Sequence, residues 1–145
     1  MGWDWINKIV IDLKKNYRSN SPYDLCRDLH IKIEKVDPNY YLLASKKSIY
    51  FRNFYDKEII FIRNDLYGCD EEFTLRHELG HALLHPDVCC SRYINTGKID
   101  KQADYFALAL SGITLDVIEL KDMTLQQIAS CAKVPYEPLS QLVNL

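Results

Sequence analysis

Apolar residues recur at Ile6, Ile9, Val10, Leu13 and Tyr17, the three- and four-residue spacing that lays one stripe along a helix. The pattern predicts an amphipathic helix over residues 1–17. The chain restarts at "RSNSPYDL", where Ser21 can cap a helix and Pro22 suits its first position, which has no use for an N–H. That second helix is short and ends near His30. From Ile31 the period drops to two. "IKIEKV" alternates, and "YYLLAS", "KSIYF" and "KEIIFI" follow, with "DPN" and "NFYD" as turns. These runs predict a small antiparallel sheet over about residues 31–62. Pro38, Lys46, Lys47 and Lys57 suit strand ends and exposed edges.

Asp70 or a neighbour then opens a helix, with Glu71 and Glu72 in the first turn, where the helix dipole favours acids. Pro86 stops it. A loop carrying Cys89 and Cys90 leads into "KIDKQADYFALALSG", a helix closed by Gly112. "TLDVIEL" and "TLQQIASCAKV" read as two shorter helices. The order of helices, sheet and helices is that of an α+β domain.

The length, 145 residues, fits a single domain over 1–145 with a helical C-terminal segment from about residue 113. A net charge of −2 offers no general attraction to nucleic acid or anionic lipid. Five cysteines, an odd number without CxxC spacing, point to reduced packing thiols rather than a disulfide framework or a cysteine metal site. The start, Met-Gly-Trp-Asp-Trp, has no leader pattern, and Ile6 stands where a myristoylation signal needs a hydroxyl. No apolar run is long enough for a bilayer. A cytoplasmic protein is expected.

Against that plain background "TLRHELGHALLH", residues 74–85, uses three of the four histidines. "HELGH" fits H-E-x-x-H. On a helix His77 and His81 are one turn apart and can share a metal ion, while Glu78 lies on the adjoining edge, placed for proton transfer rather than ligation. Zinc suits two imidazoles and acidifies water, and a nearby carboxylate can take the proton. The flanking Phe73, Leu75, Leu79, Ala82, Leu83 and Leu84 are apolar on several faces, so the helix is expected to be buried. Two histidines and a glutamate would be expensive there without a task. Gly80 costs a helix about 1 kcal/mol relative to Ala, which predicts that something packs closely against it. His85 continues the rhythm, but two turns from His77 it lies about 12 Å along the axis. It cannot join the same ion and reads as capping or packing at the helix end.

A zinc hydrolase needs a third protein ligand. Asp87, Asp100, Asp104 and Glu119 are on offer after His81. Asp100 and Asp104 are one helical turn apart, so one could bind metal while the other orients a histidine through its second ring nitrogen.

"FTLRHELGHALLH" followed by "DKQADYFALALS" resembles the ImmA/IrrE family of zinc metallopeptidases, and "SPYDLCRDL" is similar to that family's entry segment. The resemblance spans roughly residues 20–112. It implies a zincin-like fold with the sheet packed on the H-E-x-x-H helix. It also implies one Zn2+ per chain held by His77, His81 and Asp100, with Glu78 as general base and Asp104 as the acid behind a ligand. The family usually has glutamate where Asp100 stands. The shorter side chain requires a closer backbone or a bridging water.

The resemblance implies limited proteolysis of a transcriptional repressor, a helix-turn-helix protein of a phage or mobile element. The strand "KEIIFI", read as an edge, could hold substrate as an added strand. Tyr93 and Tyr105 are candidates to stabilise an oxyanion. A catalytically silent relative that binds a repressor without cutting it is one alternative. A DNA-binding regulator is another, since "LQQIASCAKVPYEPLSQLV" resembles a helix-turn-helix. Against that, Lys133 sits where the tight turn prefers Gly, Pro138 falls within the second helix, and no Lys or Arg follows Lys133. The segment reads better as a packing or repressor-docking element, with no direct nucleic-acid contact.

Overall fold

The computed structural model describes residues 2–91, 97–112, 123–132 and 134–143. Helix α1 (Asp4–Tyr17) turns its stripe of Ile6, Val10 and Leu13 into the core. Helix α2 (Pro22–Asp28) begins as its sequence dictates: Ser21 Oγ accepts from the Asp24 N–H, with Pro22 behind it.

Three strands follow, β1 (Ile31–Val36), β2 (Ser48–Phe54) and β3 (Lys57–Arg63). The sheet departs from the expected one in two ways. "YYLLAS" is not a strand. Tyr41–Leu43 forms a 3-10 turn, and Ala44 and Ser45 after it have positive φ. An apolar run that short does not distinguish a strand from a turn that buries one side chain, here the fully buried Leu43. Because the turn carries the chain across, β1 pairs parallel with β3 while β2 pairs antiparallel with it, in the order β1-β3-β2. The sheet is mixed, not antiparallel. "KEIIFI" is its central strand, with both edges occupied, so it cannot accept an added strand.

That position explains the unbroken apolar run of β3, which is covered on both faces. Ile60 and Ile62 join Tyr50, Leu75, Leu79 and Phe106 in the main core. Ile59 and Phe61 meet Leu43, Phe51 and Phe54 on the other side. The β2–β3 turn places Tyr55 and Asp56 at positive φ, the two-residue geometry that follows strand twist.

Helix α3 (Gly68–Leu84) runs through the core and stops before Pro86. Its buried residues, from Glu71 and Phe73 to Ala82 and Leu84, lie on every side of it, as expected. Helix α4 (Lys98–Leu110) crosses α3, and Gly112 at φ +91 ends it by donating to Ala109 O at 3.1 Å. A Cβ on Gly80 would lie 3.2 Å from Ala103 Cα and 3.1 Å from Phe106 Cδ1. The close packing expected at Gly80 is therefore the α3–α4 crossing.

Thr124 caps α5 (Leu125–Ala132) reciprocally: Gln127 N–H donates to Thr124 Oγ1 at 3.1 Å, and Thr124 N–H to Gln127 Oε1 at 2.9 Å. Pro138 does not prevent α6 (Tyr136–Val143), because it falls in the first turn, where a missing N–H does no harm. Ile128, Ala129, Val134 and Leu139 from this pair pack on Phe73, Ala107 and Leu108. The helix expected from "TLDVIEL" and Lys133 lie outside the described residues. Cys26 and Cys90 are buried as expected of packing thiols, whereas Cys69 and Cys89 are exposed, on α3's first turn and the following loop. No helix among the described residues is long and apolar enough to cross a membrane.

Candidate metal centre

One helical turn of α3 aligns His77 and His81, with their Nε2 atoms 3.2 Å apart. The first turn of α4 brings Asp100 to both: its Oδ1 is 3.0 Å from His77 Nε2 and 3.4 Å from His81 Nε2. Among the described residues this is the group of three in which ligand atoms converge. Asp87 is exposed and outside it, and Glu119 lies outside the described residues.

The spacing can be tested against an ion. Tetrahedral zinc with bonds of about 2.0–2.2 Å separates its ligand atoms by about 3.3–3.5 Å. The three observed separations lie at or just below that, so two neutral imidazoles and one carboxylate fit the group. At these separations Asp100 could reach an ion without a bridging water. The close crossing at Gly80 brings the backbone of α4 near enough for the shorter acid.

The ring nitrogens facing away from the cluster are also engaged. His77 Nδ1 is 2.6 Å from Asp104 Oδ1. His81 Nδ1 is 3.0 Å from His85 Nδ1, and His85 Nε2 is 2.9 Å from Gln102 Oε1. His85 does cap α3, but it is not confined to that role, a correction to the simpler expectation. The 12 Å axial estimate rightly keeps it away from the cluster. It reaches His81 instead, one turn away.

Charge follows from this packing. Burial disfavours a charged His77, but the hydrogen bonds to Asp100 and Asp104 outweigh it and hold the imidazole pKa well above its ordinary value. Burial likewise opposes charge on Asp100, yet His77 and His81 hold its carboxyl far below the usual range. His85 is pushed down, first by burial and then by the positive groups nearby, against the pull of Gln102.

Glu78 is buried beside the cluster. Ser48 Oγ, on β2, donates to its Oε2 at 2.7 Å, while Oε1 is buried with no hydrogen-bond partner among the described residues. His77, Glu78, His81, Asp100 and Ser48 share one cleft of about 400 Å³. Phe73, Pro135 and Pro138 add apolar wall, so the start of α6 borders the same space. Tyr105 is not part of it. Its hydroxyl donates to Asn7 Oδ1 at 3.1 Å and its ring packs edge-on to Trp3, because this side of α4 faces α1. Tyr93 lies outside the described residues.

Three contributors were not visible in the sequence. Ser48 and Arg52 come from β2, and Arg52 donates to His85 O at 2.9 Å and Ala82 O at 3.1 Å, tying down the end of α3. No motif marks either. Gln102 falls within the second motif, but helical spacing puts it off the face shared by Asp100 and Asp104.

The chain is 29% identical over 153 aligned residues to a protein of Bacillus phage phi105 described as "Uncharacterized immunity region protein 2". That alignment covers 96% of this chain and 92% of the phage protein. No solved structure gives a significant match. Residues 26–144, most of the chain and both halves of the cluster, match the family Peptidase_M78, described as the IrrE N-terminal-like domain. The chain belongs to that family, the ImmA/IrrE peptidases.

Proposed function

We propose that this protein is a zinc-dependent endopeptidase that makes a limited cut in a transcriptional repressor of a phage or mobile element, acting as one zincin-like domain in the cytoplasm. The observation that carries the reading is the convergence of His77, His81 and Asp100 beside a glutamate with one oxygen uncommitted among the described residues. Zinc held by those three residues would supply a Lewis acid that polarises the scissile carbonyl and acidifies water.

The chain's own residues do the rest. Ser48 holds Glu78 by Oε2 and so fixes the plane of the carboxylate. Oε1, without a partner among the described residues, is the atom that takes a proton from water, and the same carboxyl then protonates the leaving amine. Asp104 accepts from His77 Nδ1–H, which leaves Nε2 as the ligating atom.

Of strand β2, only the start at Ser48 is suited to meet an extended substrate, because the edge beyond it is paired with residues 89–91. Arg63 N–H donates inward to Lys47 O at 3.0 Å, while the N–H groups of Tyr50 and Arg52 point outward to Ser91 Oγ and Cys89 O. By that alternation Ser48 presents its backbone outward at the cleft. The α6 wall, with Pro135 and Pro138, suits a docking role for the C-terminal pair. The phage relative's description as an immunity region protein supports a repressor as the substrate.

The test is elemental analysis of wild type and Asp100→Ala, together with incubation of the protein, and of Glu78→Gln, with a repressor encoded beside it. About one zinc per chain is expected, and Asp100→Ala should lose it. Cleavage by wild type should drop at least about 100-fold in Glu78→Gln with zinc retained. Zinc-loaded wild type that binds the repressor without cutting it would replace this reading with that of a silent regulator.

A further inference from the structure

His85 and Gln102 lie outside the three-ligand cluster, yet both are buried and both connect to it through His81. An imidazole that ligates through Nε2 carries its proton on Nδ1. For His81 that N–H faces His85 Nδ1 at 3.0 Å, which must therefore be an acceptor. A neutral His85 that accepts at Nδ1 has its own proton on Nε2, and Gln102 Oε1 is 2.9 Å from that atom. One assignment of protons satisfies every contact in the series.

We infer that His85 and Gln102 are positioning residues that hold His81 in the tautomer able to bind a metal, Gln102 setting His85 and His85 setting His81. The inference rests on reading His77, His81 and Asp100 as a metal site. The contrast with His77 shows why two residues are needed. Behind His77 stands Asp104, and a carboxylate only accepts, so its role is settled without further help. Behind His81 stands an imidazole, which can accept or donate. If His85 carried its proton on Nδ1, the proton of His81 would be driven to Nε2, where the lone pair is needed. Gln102 removes that alternative by offering an acceptor at the far side of the ring. Arg52 holds the His85 carbonyl at 2.9 Å, so the ring starts from a fixed point at the end of α3.

The direct test is the pattern of ring-nitrogen protonation in the zinc-loaded wild-type protein, read by NMR of nitrogen-15-labelled histidine. Protons on His81 Nδ1 and His85 Nε2 are expected. A proton on His85 Nδ1 would overturn the inference. The second test is zinc affinity, measured by competition with a chromogenic chelator. His85→Leu should weaken binding about 10- to 100-fold. His85→Asn, whose amide oxygen can stand where Nδ1 stands, should recover most of that loss, and Gln102→Leu should fall between them. Wild-type affinity in His85→Leu, or no recovery in His85→Asn, would reduce His85 to packing. Wild type that takes up no zinc would instead remove the metal site itself, an outcome distinct from zinc bound equally well with and without His85.

Discussion

Helices α3 and α4 form one wall of the cleft and strand β2 forms another, and they contribute in different ways. From α3, its C-cap and α4 come the three converging side chains and the groups behind them: His77, His81 and Asp100, then Asp104, His85 and Gln102. Strand β2 contributes no ligand. It offers one hydroxyl to Glu78, from Ser48, and one guanidinium to the carbonyls ending α3, from Arg52. A helix repeats its faces every turn, so a site built on helices can take several ligands from one short motif. A strand crossing at an angle meets the helix at isolated points and can only adjust what is already there. On the proposed function, the helices would decide whether metal is held, and the strand how Glu78 is presented beside it.

Asp104→Asn removes the charged acceptor behind His77 without shortening the side chain. Zinc affinity should fall about 10- to 100-fold, measured against a competing chelator. Unchanged affinity would mean that the charge behind His77 does not contribute.

On the strand side the expected effect is smaller and of another kind. Ser48→Ala frees Glu78 Oε2, and a hydrogen bond to a charged group contributes about 1.5–3 kcal/mol. Discounting part of this for water that can enter the open cleft, kcat for repressor cleavage should fall roughly tenfold with zinc content unchanged. Loss of zinc in this variant would erase the division of labour between the walls.

The smallest effect is in protons. His77 has its pKa raised by Asp100 and Asp104, so in the metal-free fold it stays protonated above the ordinary histidine range. Its contribution to metal-free stability is complete below the unfolded value of about 6.5 and is lost as pH rises through the raised value. Asp100 runs the other way. Its depressed carboxyl stabilises the fold above about 3.8, and that contribution is lost only as pH falls well below it. Zinc uptake at neutral pH should therefore release about one proton from the His77 imidazole and none from Asp100. Calorimetry in two buffers of different ionisation heat reads that number, and proton-neutral uptake near pH 7 would contradict the His77 assignment.

Much of the helical wall was legible in the sequence because helix chemistry is local. Ser21 and Pro22 start α2, Pro86 stops α3 and Gly112 closes α4 through backbone rules that act within a turn. The four-residue spacing of His77 and His81 places them together whatever else folds around them. The second motif, with Asp100 and Asp104, carried the resemblance from which Asp100 was expected as a third ligand. The sheet was far less legible. Alternation in "IKIEKV" and "KEIIFI" marks strands but does not say which strands pair, or in which direction. One wrongly assigned run, "YYLLAS", was enough to turn a mixed sheet into an expected antiparallel one and a central strand into an edge.

By itself the sequence determined the helices from α1 to α4, the Ser21 cap, the pairing of His77 with His81 and the closeness demanded at Gly80, since each depends on residues a few positions apart and on the fixed geometry of a helical turn. Only the tertiary structure decided that α4 crosses at Gly80 so that Asp100 reaches both imidazoles. It also put Ser48 at Glu78, set Arg52 at the end of α3, and made His85 a link to Gln102 as well as a cap. Those contacts join residues 17 to 33 positions apart through space. No periodicity records them, because each depends on where the crossover before β2 and the loop before α4 deliver the chain.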